Sequence, residues 1–89
     1  MKIRKHFVFK GMVQGVGFRW RACMAAERLG CTGWVRNEYD GSVTMEIQGE
    51  EDAISQVVLA LENGRFIQIE DMRVKTIPVV ENEYYFLPG

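Results

Sequence analysis

Apolar residues recur along this chain with two periods, two and about 3.6, and each switch between them marks a new element. Alternation over about residues 5 to 13 predicts a first strand with Phe7, Phe9, Gly11 and Val13 on one face. A helix is predicted over about 19 to 29, with Phe18, Ala22, Ala25, Ala26 and Leu29 as its apolar stripe and Gly30 as its stop. Residues 33 to 37 read as a second strand, Asp40-Gly41 as a hairpin turn, and 42 to 48 as a third strand in which Val43, Met45 and Ile47 alternate. Glu50-Glu51-Asp52 places acidic residues where a helix dipole favours them, and Ile54, Val57, Val58 and Leu61 form the buried stripe of a second helix that ends at Gly64. A long strand over about 67 to 77 and a short one at 84 to 87 complete the pattern, with Pro78 and the polar residues 81 to 83 between them.

The predicted order β-α-β-β-α-β, plus a short final strand, is the split β-α-β arrangement of the ferredoxin-like α+β class. Two helices should cover one face of an antiparallel sheet. The first two strands are joined by a crossover helix and should run the same way, with the third strand between them. Their carboxyl ends then share one sheet edge, about two strand spacings, or roughly 9.6 Å, apart. That gap has room for a phosphate and one water.

The ends in question carry the chemistry. Residues 11 to 19 read Gly-Met-Val-Gln-Gly-Val-Gly-Phe-Arg, so a strand runs into a glycine-spaced turn that opens a helix. Gly15 and Gly17 permit backbone angles closed to other residues, and successive amides from Gln14 through Gly15, Val16, Gly17 and Phe18 can point at one anion. The helix dipole adds positive potential at the same spot. Arg19 falls in the first helical turn, where the dipole disfavours a cation, and an anionic ligand explains that placement. Across the gap, Asn37 offers an acceptor and a donor without charge, which suits it to orient a water beside a phosphate rather than to act as a base. With no histidine, cysteine or carboxylate in the motif, the leaving group must depart easily, as the carboxylate of an acyl phosphate does.

Eighty-nine residues suit one domain with a single core. Eleven basic against twelve acidic residues leave a net charge of −1, without the broad positive field of a nonspecific nucleic-acid or membrane-surface binder. The basic start contains an apolar run too short for a signal or a membrane span, which points to the cytoplasm. Cys23 and Cys31 lie eight residues apart across the first predicted helix. At about 1.5 Å per residue that is roughly 12 Å, beyond the ~7 Å disulfide limit, so both should be free thiols. His6 and the two cysteines lack metal-ligand spacing, and no metal or other cofactor is expected. The dinucleotide glycine pattern fails at Trp20, and the Walker pattern lacks its Lys-Ser/Thr pair. Residues 43 to 47 offer no aromatic rings, which argues against an RNA-binding sheet, although Phe7 and Phe9 sit on the first strand. Trp34 and Phe18 are expected in the core.

The block from Gly11 to Arg19, followed by Leu29-Gly30-Cys31-Thr32-Gly33-Trp34-Val35-Arg36-Asn37 and Asp40-Gly41-Ser42-Val43, strongly resembles acylphosphatase, over essentially the whole chain. The resemblance implies a small monomeric enzyme that hydrolyses carboxyl-phosphate bonds without a metal, releasing carboxylate and inorganic phosphate. It assigns phosphate binding to Arg19 and the Gln14–Phe18 amides, and water orientation to Asn37. Glu38 and Tyr39 depart from the smaller or less acidic residues the resemblance implies after Asn37, and a carboxylate there would repel phosphate if it faced the pocket. The remaining alternative is an acylphosphatase-like module that binds a phosphorylated carboxylate or carbamate for another protein.

Overall fold

The computed structural model describes residues 1–89 and places β1 (Lys2–Met12), α1 (Phe18–Arg28), β2 (Thr32–Asn37), β3 (Val43–Glu50), α2 (Glu51–Glu62), β4 (Gln68–Ile77) and β5 (Phe86–Pro88). The elements follow the order read from the sequence. Their boundaries shift by one to three residues, the uncertainty intrinsic to element ends. β1 starts three residues early, at Lys2, and the last strand starts two residues late: Tyr84 and Tyr85 lie outside it, and β5 begins at Phe86.

Strand parity sorts the side chains between the two faces of the sheet. Phe7, Phe9, Val35, Val43, Met45 and Ile47 point to one side and are almost fully buried against Phe18, Ala22, Ala25 and Ala26 of α1 and Ile54, Val57 and Leu61 of α2. Phe9 lies 5.4 Å from Phe7 and 5.0 Å from Phe18, ring centre to ring centre. Each such large apolar side chain gains about 1.5–3 kcal/mol from burial. Phe7 and Phe9 are therefore core residues rather than stacking surfaces. Trp34 takes the opposite side because its neighbour Val35 faces the helices, so the expectation of a core tryptophan is corrected. Its half-buried indole carries the Arg36 guanidinium 4.8 Å from the ring centre and meets His6 edge-on at 6.5 Å. The two cysteines are free, Cys31 buried and Cys23 packed at the core margin.

The strand order is β4-β1-β3-β2-β5. β3 pairs antiparallel with both β1 and β2, so β1 and β2 run the same way and end on one edge, as their connection requires. β5 joins β2 in parallel, which makes the sheet mixed rather than purely antiparallel. α1 stops through paired bonds from Gly30 N to Glu27 O (3.2 Å) and Cys31 N to Ala26 O (2.8 Å), a Schellman motif.

The face of the sheet away from the helices is held by polar chemistry. Arg4, its side chain 3% exposed, donates through Nη1 and Nη2 to both carboxylate oxygens of Glu83 (2.8 and 3.2 Å), through Nη1 also to Gln48 Oε1 (3.2 Å), and through Nε to Glu46 Oε1 (3.2 Å). Gln48 in turn exchanges two hydrogen bonds with the backbone of Val80, 2.8 and 2.9 Å. The 78–85 segment thus lies across this face. Burial pushes the Glu46 carboxyl up, but hydrogen bonds from His6 and Arg4 outweigh it and bring the carboxyl below the usual glutamate range. A carboxylate lowered by folding contributes stability above its unfolded value and loses it as pH falls through the folded one. Denaturation midpoints followed on acidification should therefore fall less steeply in Glu46→Gln than in the wild type. Superimposable acid limbs would remove Glu46 from the pH dependence.

Candidate active site

The turn leaving β1 and the end of β2 meet in a cleft of about 180 Å³ lined by Val13, Gly15, Gly17, Phe18, Arg19, Trp20 and Asn37. Local sequence explains the shape. Gly15 (φ 72°) and Gly17 (φ 80°) adopt the left-handed conformation that glycine takes at no steric cost. The positions their missing Cβ atoms would occupy face open space, so the main chain itself forms the wall of the cleft.

That wall is rich in donors. α1 begins at Phe18 with Gly17 as its N-cap, no side chain caps it, and no acidic residue occupies its first turn. α2, by contrast, has Glu51 and Asp52 there. The first amide of α1 to find a partner is that of Arg21, which donates to Gly17 O at 3.0 Å. The amides of Phe18, Arg19 and Trp20 therefore lack intrahelical acceptors, and those of residues 14 to 17 donate to no other backbone group. A run of unspent N–H groups at the positive end of a helix favours an anion.

Arg19 stands in this first turn with its guanidinium exposed and forms none of the seven ion pairs of the protein. Its Nη1 donates to the main-chain oxygen of Gly89 at 3.4 Å, which brings the segment after β5 up to the site. The charge reaches one turn along the helix: burial pushes the Cys23 thiol up, and Arg19 partly offsets it. Asn37, half-buried, closes β2 opposite Val43 and reaches the same cleft, so the two side chains singled out from the sequence are brought together with the glycine turn. Gln14 contributes to the turn through its backbone, while its side chain leaves the cleft and donates to the Glu38 and Ser42 carbonyls of the β2–β3 hairpin.

Glu38 does not line the cleft. Its carboxylate accepts from Arg36 Nε at 2.9 Å, and this bond, with one from Thr44, holds it below the usual range. The acidic departure after Asn37 is thereby turned aside and partly neutralised. Val13, Trp20 and the Gly89 oxygen are components that sequence reasoning missed. Trp20 gave one signal, its place directly after Arg19, and the residue is 67% exposed at the lip. No group of three or more His, Cys, Asp and Glu side chains is placed to hold a metal ion. A larger hollow of about 530 Å³ opens between the end of α1 and residues 84–87, beside Glu27, Cys31 and Tyr85, but no cation lines it.

An anion cradle, a cation and a neutral polar side chain on one sheet edge can bind a phosphoryl group and place a water beside it. Known proteins share this architecture and much of the sequence. The Acylphosphatase family model matches residues 5–87. An acylphosphatase of Bifidobacterium longum is 45% identical over 80 residues, covering 89% of this chain and 82% of that one. The crystal structure of acylphosphatase from Bacillus subtilis superposes with a TM-score of 0.90 at 33% identity, covering 98% of both chains. An acylphosphatase structure from Coxiella burnetii gives 0.87 at 32% identity, covering 99% of this chain and 93% of that one. Fold, both sequence blocks and these relatives together establish that the chain belongs to the acylphosphatase family and is an acylphosphatase enzyme.

Proposed function

We propose that the cleft holds the phosphoryl group of a small acyl phosphate through the amides of Gln14, Gly15, Val16, Gly17 and Phe18 and the guanidinium of Arg19, while Asn37 orients the attacking water. The observation that carries this reading is that Gly15, Gly17 and Phe18, whose amides donate to no backbone acceptor, line the same cleft as Arg19 and Asn37, while Gln14 and Val16 belong to the turn without lining it. Each charge-assisted hydrogen bond to the phosphoryl oxygens is worth about 1.5–3 kcal/mol net, so several suffice to hold a dianion without a metal. Water adds to phosphorus as the bond to the acyl oxygen breaks, and the electron pair leaves on a carboxylate. Dihydrogen phosphate, the other product, carries both water hydrogens. No net proton is required from the protein, which suits a site built without a general acid or base.

The balance also sets substrate class. Alkyl phosphate monoesters expel an alkoxide, which needs an acid this site lacks. The acyl group meets few specific contacts at the open lip, so choice among acyl groups should be loose. The same reading gives a monomer working in the cytoplasm on small molecules and inorganic phosphate, with neither nucleic acid nor membrane as partner. No helix is long and apolar enough to cross a bilayer.

Purified protein incubated with a synthetic aryl acyl phosphate and a chelator should release carboxylate at an undiminished rate, with alkyl phosphates left nearly untouched. Inorganic phosphate should compete with substrate. Comparable turnover of both substrate types, or purely noncompetitive inhibition, would overturn the assignment.

A further inference from the structure

The side chain of Gln14 is spent on the fold of the site in a particular way. Its Nε2 donates to Glu38 O at 2.8 Å and to Ser42 O at 2.9 Å. Both hydrogens of the amide nitrogen are thus used, and two carbonyl acceptors leave no alternative orientation of the amide. Those carbonyls belong to the residues that close the β2–β3 hairpin, where Glu38 N also donates to Ser42 O at 2.8 Å. The hairpin end is pinned again by Asp40, whose Oδ1 accepts from Ser42 N (3.0 Å) and Ser42 Oγ (2.6 Å). Asn37 is the residue immediately before Glu38. The turn that carries the amide wall and the strand end that carries Asn37 come from distant parts of the sequence, and Gln14 is the side-chain hydrogen bond that joins them.

Strand pairing alone leaves this distance soft. β1 and β2 are not hydrogen-bonded to each other, since β3 lies between them, and the β1 ladder with β3 ends at Phe9–Val43, before the turn. Between Phe9 and the glycine turn the chain pairs only with β4, past a bulge at Lys10–Gly11, with Val13 as its anchor in the core. A bulge adds local twist, so the approach to the turn lacks the stiffness of a regular ladder.

We infer that the side chain of Gln14 is a positioning group for the hydrolysis, a tie that sets the separation between the phosphate cradle and Asn37, a role separate from that of the Gln14 backbone amide, which Gln14→Met leaves in place. The inference rests on the role proposed above for Asn37. A misplacement of about 1 Å between reacting groups costs on the order of a hundredfold in rate. Losing the tie should therefore slow turnover while leaving the cradle able to bind.

Gln14→Met keeps length and removes both donors without adding charge. Its kcat should fall about 10- to 100-fold, by the same geometric sensitivity, while the inhibition constant of inorganic phosphate changes less than about threefold. A purely structural role would lower the melting temperature without this split. The decisive measurement is a double-mutant cycle: in an Asn37→Ala background the same Gln14→Met change should cost little further turnover, because the group it positions is gone. Additive losses in the two backgrounds, unchanged kcat, or a loss of phosphate affinity as large as the loss of kcat would each overturn the proposal. Gln14→Asn, which keeps the amide but falls one methylene short, provides a second variant if the methionine form folds poorly, with the same cycle and the same outcomes. An Asn37→Ala enzyme with normal turnover would instead mark failure of the underlying reading, which the single variant reports by itself.

Discussion

Arg19→Gln should lose kcat/KM by about three orders of magnitude or more, at the upper end of what removal of one preorganised charge-stabilising donor costs. Stability should move the other way. Arg19 is exposed in the first turn of α1, forms no side-chain ion pair, and its one side-chain hydrogen bond is the 3.4 Å bond to Gly89 O. A cation at that end opposes the dipole, so its removal should gain about 0.3–1 kcal/mol at low ionic strength. Steady-state kinetics and thermal unfolding on one preparation check both halves. A loss of several kcal/mol with the fold disturbed would make Arg19 a structural residue and remove the main support for the anion site.

Asn37→Ala should separate binding from chemistry. Turnover is expected to fall by about two to three orders of magnitude, the typical cost of losing one preorganised polar contact. Phosphate affinity should survive, because the amide wall and Arg19 lie on the other side of the cleft. Asn37 also precedes the hairpin, and asparagine at such a place often serves the turn alone. Here the turn is already secured by the bonds of Asp40 to Ser42 and of Glu38 N to Ser42 O, so the alanine variant should lose little stability. Inhibition by inorganic phosphate, single-turnover rates and a melting curve distinguish the cases. Unchanged turnover with a lowered melting temperature would assign Asn37 to the turn.

What could be read from the sequence follows the range of the interactions involved. The glycine turn, the helix behind it and the place of Asn37 at the end of the second strand depend on local spacing, and all three stand within a residue of where the sequence puts them. The amphipathic stripe of α2 was legible for the same reason. Trp34 was misread because an aromatic ring suggests the core more strongly than a single step of parity suggests the surface, yet parity wins once Val35 is committed inward. The parallel docking of β5, the Gly89 oxygen beside Arg19 and the tie from Gln14 to the hairpin join positions 24 to 79 residues apart or depend on them, as does the Arg4–Glu83 pair. No local pattern encodes such partners, and only the closed sheet brings them together.

The segment joining β4 to β5 has a mechanical consequence. These two strands are opposite edges of the sheet, four strand spacings apart, or about 19 Å at roughly 4.8 Å per step. Residues 78–85 bridge that width across the helix-free face, and eight residues at about 3.3 Å each reach roughly 26 Å, enough to span it without a detour around the helices. Midway, Val80 is fastened to Gln48 on β3 and Glu83 to Arg4 on β1. The open sheet is thereby girthed like a load under a belt. The strap that joins the two margins is fastened to the central pair, to Arg4 on β1 and Gln48 on β3, so tension on the trailing strand should meet those fastenings before it reaches β4.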